Sequence, residues 1–287
     1  MKKILVTGAN GQLGSELKVL APQYAQFEWV FADRSVLDLS DLATISDVLD
    51  EIQPHIIINC AAYTAVDKAE TETELADVLN HQAVAVLARW TASHQVQLLH
   101  ISTDYVFDGS SSTPLTEAAP TGPINVYGQT KLAGEHACLR ENPEAIVIRT
   151  SWVYSRFGNN FVKTMSRLMQ ERDSINVVND QIGSPTYAAD LAQVMMTIIT
   201  HSHWQGGIYH FSNKGEMSWY EFALAIQEIG GWECTISGIP SSNYPTPARR
   251  PHYSLLDKSK IATTFAVEVP EYRESLQKCM NLIRVNS

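Results

Sequence analysis

Tyr127 and Lys131 stand four residues apart in the stretch Tyr127-Gly128-Gln129-Thr130-Lys131. On a helix, that spacing puts a phenol and an ammonium on one face. A free phenol ionises near pH 10, too high for easy proton exchange at neutral pH. A lysine charge about 4 Å away, at an effective dielectric near 20, is worth roughly 4 kcal/mol, or on the order of three pKa units. The pair is therefore expected to bring the phenol into the range of general acid–base work. Taken alone, Y-x-x-x-K also occurs on ordinary half-exposed helix faces. Ser102-Thr103-Asp104-Tyr105 follows a run of β-formers, where a hydroxyl can share a substrate oxygen with Tyr127. Serine and threonine at a strand end are otherwise turn formers.

A second group of residues has the chemistry of a nucleotide site. Gly8-Ala9-Asn10-Gly11-Gln12-Leu13-Gly14 follows the first apolar run directly, with glycines at G-x-x-G-x-x-G spacing. Glycines let a backbone turn sharply against a pyrophosphate, whose charge then meets free N–H groups at a helix N-terminus. Gly8, Asn10, Gly11, Gln12, Leu13 and Gly14 are the expected contacts. Asp33 lies 19 residues after Gly14. A carboxylate there accepts both ribose hydroxyls of NADH and repels the extra phosphate of NADPH. The neighbouring Arg34 argues the other way, since a guanidinium holds that phosphate with two donors. The residues thus call for a nicotinamide cofactor and leave NADH and NADPH both open. Asp38 and Leu39 are expected near the adenine. Ala61, Ala62 and Tyr63 are expected where a third strand ends beside the cofactor.

These groups need elements to hold them in register. Short, almost wholly apolar runs at residues 4–6, 29–32, 56–59, 97–102 and 145–149 read as strands covered on both faces. Helical patterns fall between them, notably over residues 39–52 and 72–94. Such alternation predicts parallel strands joined by right-handed crossovers, an α/β doubly wound sheet of Rossmann type. Further on, the pattern predicts helices at residues 160–170, 188–200 and 271–284, strands at 175–178 and 208–211, and an ordered loop over a cleft at 238–251. Residues 1–151 are expected to form the dinucleotide-binding domain, with the strands at 175–178 and 208–211 returning to it; residues 152–287 are mainly a smaller substrate-binding lobe.

The 287 residues are 45% apolar and 18% charged, which excludes a disordered or coiled-coil chain. A net charge of −10 is the wrong sign for a general nucleic-acid binder, yet local cations can still hold a small anion. Cys60, Cys138, Cys234 and Cys279 form no C-x-x-C pair and read as reduced thiols. No run is long enough for a signal peptide or a membrane span, so a cytoplasmic protein without a membrane partner is expected.

The glycine turn, the hydroxyl cluster and Y-x-x-x-K occur in the order found in extended short-chain dehydrogenase/reductases, and the chain resembles that superfamily. Within it, the chain is similar to nucleotide-sugar reductases through Asn59-Cys60-Ala61-Ala62-Tyr63-Thr64 and residues 65–70, 102–107, 125–135, Arg149-Thr150-Ser151-Trp152-Val153-Tyr154, 158–161, Asn179-Asp180-Gln181-Ile182-Gly183-Ser184-Pro185-Thr186 and Tyr244-Pro245-Thr246-Pro247-Ala248-Arg249-Arg250-Pro251. The resemblance implies reduction of the 4-keto group of dTDP-4-dehydro-L-rhamnose, within the synthesis of a rhamnose donor for polysaccharides such as O-antigen. It implies Tyr127 as proton donor, Lys131 as the group that lowers the tyrosine pKa and binds nicotinamide ribose, and Thr103 on the keto oxygen. Asp104, Tyr105 and Trp152 match substrate-contacting positions, and Arg249 and Arg250 are candidates for the substrate diphosphate.

Some relatives place Mg2+ between carboxylates of paired subunits. Glu16 matches one such position and Asp190 stands where a second has glutamate, while the closing helix offers no clear third acid; the resemblance therefore leaves no bound Mg2+ as the expectation, and monomer or homodimer both open. His201 and His203 read as solvated residues at a helix end. A sugar epimerase or 4,6-dehydratase of the same fold is one rival, although the dehydratases carry Thr-Asp-Glu where this chain has Thr103-Asp104-Tyr105. A non-catalytic partner, like the regulatory subunit of methionine adenosyltransferase, is another.

Overall fold

The structure is a computed structural model and describes residues 1–285. Five parallel strands come from the first half of the chain: β1 (Lys2–Thr7), β2 (Phe27–Ala32), β3 (Ile56–Asn59), β4 (Gln97–Thr103) and β5 (Ile146–Thr150). With the later strand Gly207–His210 they form one six-stranded sheet, ordered Gly207–His210, β5, β4, β3, β1, β2. Alternation along each strand divides its apolar side chains between two helical layers. Ile4, Val6, Ile56, Ile58, Ile146 and Ile148 face one layer, which includes Leu17 and Leu191. Leu5, Ile57, Leu98 and Val147 face the other, which includes Leu49, Leu87 and Cys138. Both faces are covered, which is why these runs carry almost no polar residues.

The chain leaves β1 for β2 on one side, then returns to place β3 on the other. The sheet order therefore reverses between β1 and β3, and the loops at the carboxyl ends of these strands diverge to leave a crevice.

Four sequence-based expectations need correction. The strand at Ser174–Val178 does not return to the central sheet; it pairs with Thr235–Ile239 in a separate two-stranded sheet. A local apolar run does not specify its partner. The helix expected over residues 39–52 spans only Ile45–Ile52, because the Asp38 carboxylate accepts the Ser40 N–H (2.9 Å) and hydroxyl (2.6 Å) and holds a turn. The helix expected over 72–94 is interrupted by a π-turn at Val78–Gln82. Gly238 and Ile239 belong to the strand Thr235–Ile239, so the loop over the cleft is shorter than expected.

A separate core lies beyond β5, where Met165, Phe222, Ile226, Leu276 and Met280 from three helices pack together. The helix Ala188–Thr200, the strand Gly207–His210 and Phe265 belong instead with the central sheet. All four cysteines are free. No helix among the described residues is long and apolar enough to cross a membrane.

Candidate active site

A cavity of about 800 Å3 opens at the carboxyl ends of β1, β3, β4 and β5, within the range typical of small-ligand sites. At one end the chain leaves β1 through Gly8, whose φ is +63°. A Cβ at Gly8 would lie 2.7 Å from the Ala61 nitrogen, so only glycine lets the turn pass this close to the end of β3. Gly11 caps the helix Gln12–Leu20 with no side-chain acceptor, leaving the first-turn N–H groups for an anion. Gly8, Gly11, Gln12, Leu13, Ala61 and Ala62 line the cavity. This narrow, donor-rich crossing at the sheet reversal fits a dinucleotide pyrophosphate.

Asp33, Arg34, Asp38 and Leu39 continue the lining. The Asp33 carboxylate accepts from Ser35 N (2.9 Å), Ser35 Oγ (2.6 Å) and Asn10 Nδ2 (3.2 Å), and its pKa is lowered chiefly by the Ser35 hydroxyl. Arg34 is exposed, with Nε 3.7 Å from Asp38. Three of the expected cofactor residues stand back from the cavity. Asn10 braces Asp33 and accepts from Lys18 (2.9 Å), and Gly14 lies beneath the turn. Tyr63 donates its N–H to Asn80 Oδ1 (2.8 Å) and its hydroxyl to Glu72 (2.7 Å).

Thr103, Asp104, Tyr105, Tyr127, Lys131 and Trp152 all line the other end. Tyr127 and Lys131 sit on the helix Val126–Glu141, which begins at Asn125. The Asn125 carboxamide accepts the Gly128 N–H (2.7 Å) and donates to the Arg249 carbonyl (2.7 Å), capping the helix and tethering the proline-rich loop at once. The ring of Tyr105 meets that of Tyr127 edge-on, with centroids 5.7 Å apart. Thr103 Oγ1 accepts the Tyr105 N–H (3.2 Å), donates to Asp104 Oδ1 (3.1 Å) and is hydrogen-bonded to the Tyr127 phenol.

Lys131 was expected to lower the Tyr127 pKa, but it is not among the groups acting on the phenol here, and the shift is upward. Burial pushes the Tyr127 phenol up to about 12, with the Asp104 charge adding to the effect and the Thr103 hydrogen bond opposing it. Lys131 Nζ is drawn to β4 instead, 2.6 Å from the Ile101 carbonyl and 3.4 Å from His100 Nε2. Burial brings its own pKa down to about 8. Desolvation therefore outweighs the charge pairing that the spacing suggested. Tyr127 is fully protonated at neutral pH, which suits a proton donor.

Asp104 is buried, accepts from Ser254 Oγ (2.6 Å), and has its carboxyl pushed up to about 6 by burial. Because the folded pKa lies above the ordinary 3.8, the ionised group opposes folding above pH 6, by roughly 3 kcal/mol, and this cost fades as pH falls from 6 toward 3.8. Asp104→Asn is expected to raise the melting temperature at pH 7–8. The gain should vanish below about pH 4 in a series of melts across pH.

Trp152 adopts φ +48°, in the left-handed region that bulky residues avoid, and its indole stacks on Trp219 with centroids 3.7 Å apart. Trp219 also lines the cavity. Sequence reasoning missed it, although a tryptophan directly after the N-cap Ser218, within the capping box Ser218–Glu221, is a visible signal. Arg249 does not meet its expectation: it is exposed and absent from the cavity wall. Its neighbour Arg250 is held by Asp67 through Nη1 (2.6 Å) and Nη2 (2.7 Å) and bonds Tyr105. The Arg250 guanidinium holds the Asp67 carboxyl below its ordinary range.

Glu16 and Asp190, the two candidate Mg2+ ligands, are both engaged within the chain. Glu16 is buried, accepts from Ser155 Oγ (2.6 Å), and has its pKa raised by burial. Asp190 accepts from Asn213 and Ser275. No group of three metal-ligating side chains exists among the described residues, the pair His201 and His203 included.

The model of the RmlD substrate binding domain matches residues 1–285. The chain belongs to the RmlD family. A dTDP-4-dehydrorhamnose reductase of Aggregatibacter actinomycetemcomitans is 40% identical to it over 287 residues, covering 96% of this chain and 98% of that protein. The crystal structure of such a reductase from Clostridium acetobutylicum superposes with a TM-score of 0.94 at 38% identity, covering 98% of this chain and 99% of that one. The reductase of Bacillus anthracis, solved in complex with NADP, gives a TM-score of 0.93 at 39% identity, covering 98% of this chain and all of that one.

In this RmlD chain a buried polar layer lies behind the cavity, and sequence reasoning passed over its key members. Glu135 accepts from Ser102 Oγ (2.5 Å) and from Arg149 Nε (2.9 Å) and Nη2 (2.6 Å). His100, Glu135 and Arg149 are each buried. His100 and Arg149 are ionisable residues inside otherwise apolar strands, which was the available signal; Glu135 lies on the helix Val126–Glu141.

Proposed function

We propose that the chain reduces the 4-keto group of dTDP-4-dehydro-L-rhamnose to dTDP-L-rhamnose, using NADPH or NADH. The observation that carries this reading is the meeting of Thr103, Tyr127 and Lys131 on one wall of the cavity whose other end is the glycine turn. The reductase activity of relatives near 40% identity supplies the substrate. The NADP complex of the Bacillus anthracis relative supports NADPH, and Arg34 beside Asp33 supports use of either form. The reductant is a cytoplasmic metabolite, and the reaction is assigned to that compartment.

The bound nicotinamide supplies a hydride to sugar C4. Tyr127 gives its proton to the oxygen that becomes negative, and Thr103 steadies that oxygen with its hydroxyl. Lys131 stands one helical turn from the phenol and is the nearby group able to exchange a proton near neutral pH. Tyr105, braced by Arg250, and Trp152, stacked on Trp219, wall in the sugar and exclude water. Where a dehydratase carries a glutamate this chain carries Tyr105, so the site lacks the carboxylic acid that expels water.

Supplying purified protein with the keto sugar tests this. One reduced nicotinamide is expected to disappear per sugar converted. An epimerase recycles its cofactor, so sugar conversion without net consumption would reject the reductase reading.

A further inference from the structure

Behind the cavity wall, a chain of buried polar groups runs from Thr7 at the end of β1 to Lys131. Thr7, Asn59, His100 and Lys131 are each no more than 2% exposed. The Thr7 hydroxyl accepts the Ala61 N–H (3.3 Å) and donates its single hydrogen to Asn59 Oδ1 (2.6 Å). That turns the Asn59 amide nitrogen toward His100 Nδ1, 3.0 Å away, which must then accept. A neutral imidazole that accepts at Nδ1 carries its hydrogen on Nε2. His100 Nε2 faces Lys131 Nζ at 3.4 Å, and Nζ in turn donates to the Ile101 carbonyl. Each group then donates to the next in one direction, provided that the lysine presents a lone pair. An ammonium at the same place would meet a second donor head-on.

We propose that His100 is a positioning residue acting through Lys131: Asn59 and Thr7 hold its Nε2–H against the amine and so oppose the protonated lysine. Burial and the Lys131 charge keep His100 itself neutral, its pKa far below the ordinary value. The titratable groups acting on Lys131 are His100 from β4 and, on its own helix, Glu135 and Cys138, which both favour the charged form. Glu135 is largely neutralised by Arg149 from β5, at 2.6 Å, and the Cys138 thiol is pushed up to about 12 by burial. Tyr127, one turn away, is protonated. His100 is thus the opposing contact that geometry aims at the amine. This proposal rests on the reductase reading for its purpose. Once Tyr127 has given its proton to the sugar oxygen, a weakly held Lys131 proton passes readily to the phenolate, and solvent water restores it to the lysine.

The wild-type protein labelled with 15N-histidine tests the geometry directly. The expected spectrum shows His100 as the neutral Nε2–H tautomer; the Nδ1–H tautomer would overturn the proposal. With 13C-lysine labelling, and the Lys131 signal assigned by its loss in Lys131→Arg, the wild-type midpoint is expected near pH 8. In His100→Leu it should rise by about one pH unit or more. Thr7→Val is nearly isosteric and frees the Asn59 amide to turn; it should raise the midpoint in the same direction even where His100→Leu fails to fold. An unmoved or lowered midpoint in the folded variants refutes the proposal. In steady-state assays the alkaline limb of kcat should move upward by the same amount, whereas a uniform loss at every pH is the signature of mere packing damage and counts against it. A shifted lysine titration in a protein that does not reduce the keto sugar would uphold this inference and reject the reductase reading.

Discussion

Tyr127→Phe is expected to lower kcat at least about 100-fold while leaving NAD(P)H affinity within about twofold. The phenol is protonated throughout the neutral range, so the O–H is available as a donor at every working pH. Phenylalanine keeps the ring and its edge-on contact with Tyr105, 5.7 Å between centroids, so folding and the shape of the cavity survive. Only the transferable proton and the bond with Thr103 are lost. A loss in kcat without a matching loss of cofactor binding separates this role from simple binding. Turnover unchanged from wild type would remove Tyr127 from the chemistry.

The second large effect is on stability. Glu135 and Arg149 have side chains 0% and 3% exposed, and their closest approach is 2.6 Å. Glu135 also receives the Ser102 hydroxyl, while the Arg149 guanidinium lies 5.1 Å from the Phe107 ring centre. Removing one partner leaves a buried charge without compensation, and Arg149→Met or Glu135→Leu is expected to cost on the order of 3–5 kcal/mol. Melting temperature should fall by about 10 °C in either single variant. The double variant should recover most of that loss, because desolvation of both charges is relieved together. A double-mutant cycle of thermal melts provides the check, and single variants that melt within about 2 °C of wild type would contradict the prediction.

What the amino-acid sequence made legible follows from local physics. Runs such as Ile56–Asn59 are apolar at every position but the last because both sheet faces are covered, and that reads directly as a parallel strand. The glycine turn and Y-x-x-x-K were equally visible, since each is a short-range pattern whose chemistry depends on spacing. Partner choice was not visible: nothing within Ser174–Val178 says that it pairs with Thr235–Ile239 and leaves the central sheet.

Side-chain direction was also beyond reach of spacing. Lys131 lies one turn from Tyr127, yet its Nζ is claimed by the Ile101 carbonyl and His100, 30 and 31 residues earlier. Between adjacent arginines the pattern favoured neither. Only the fold shows Arg250 clamped to Asp67 across 183 positions while Arg249 faces outward.

The most direct measurement of the central claim follows an isotope rather than an absorbance. With dTDP-4-dehydro-L-rhamnose and NADPH carrying deuterium at the transferable C4 position, the product should be dTDP-L-rhamnose with one deuterium at sugar C4. It should form at a rate that collapses in Tyr127→Phe. Product lacking deuterium at that carbon, or labelled product formed equally fast by the variant, would contradict the account.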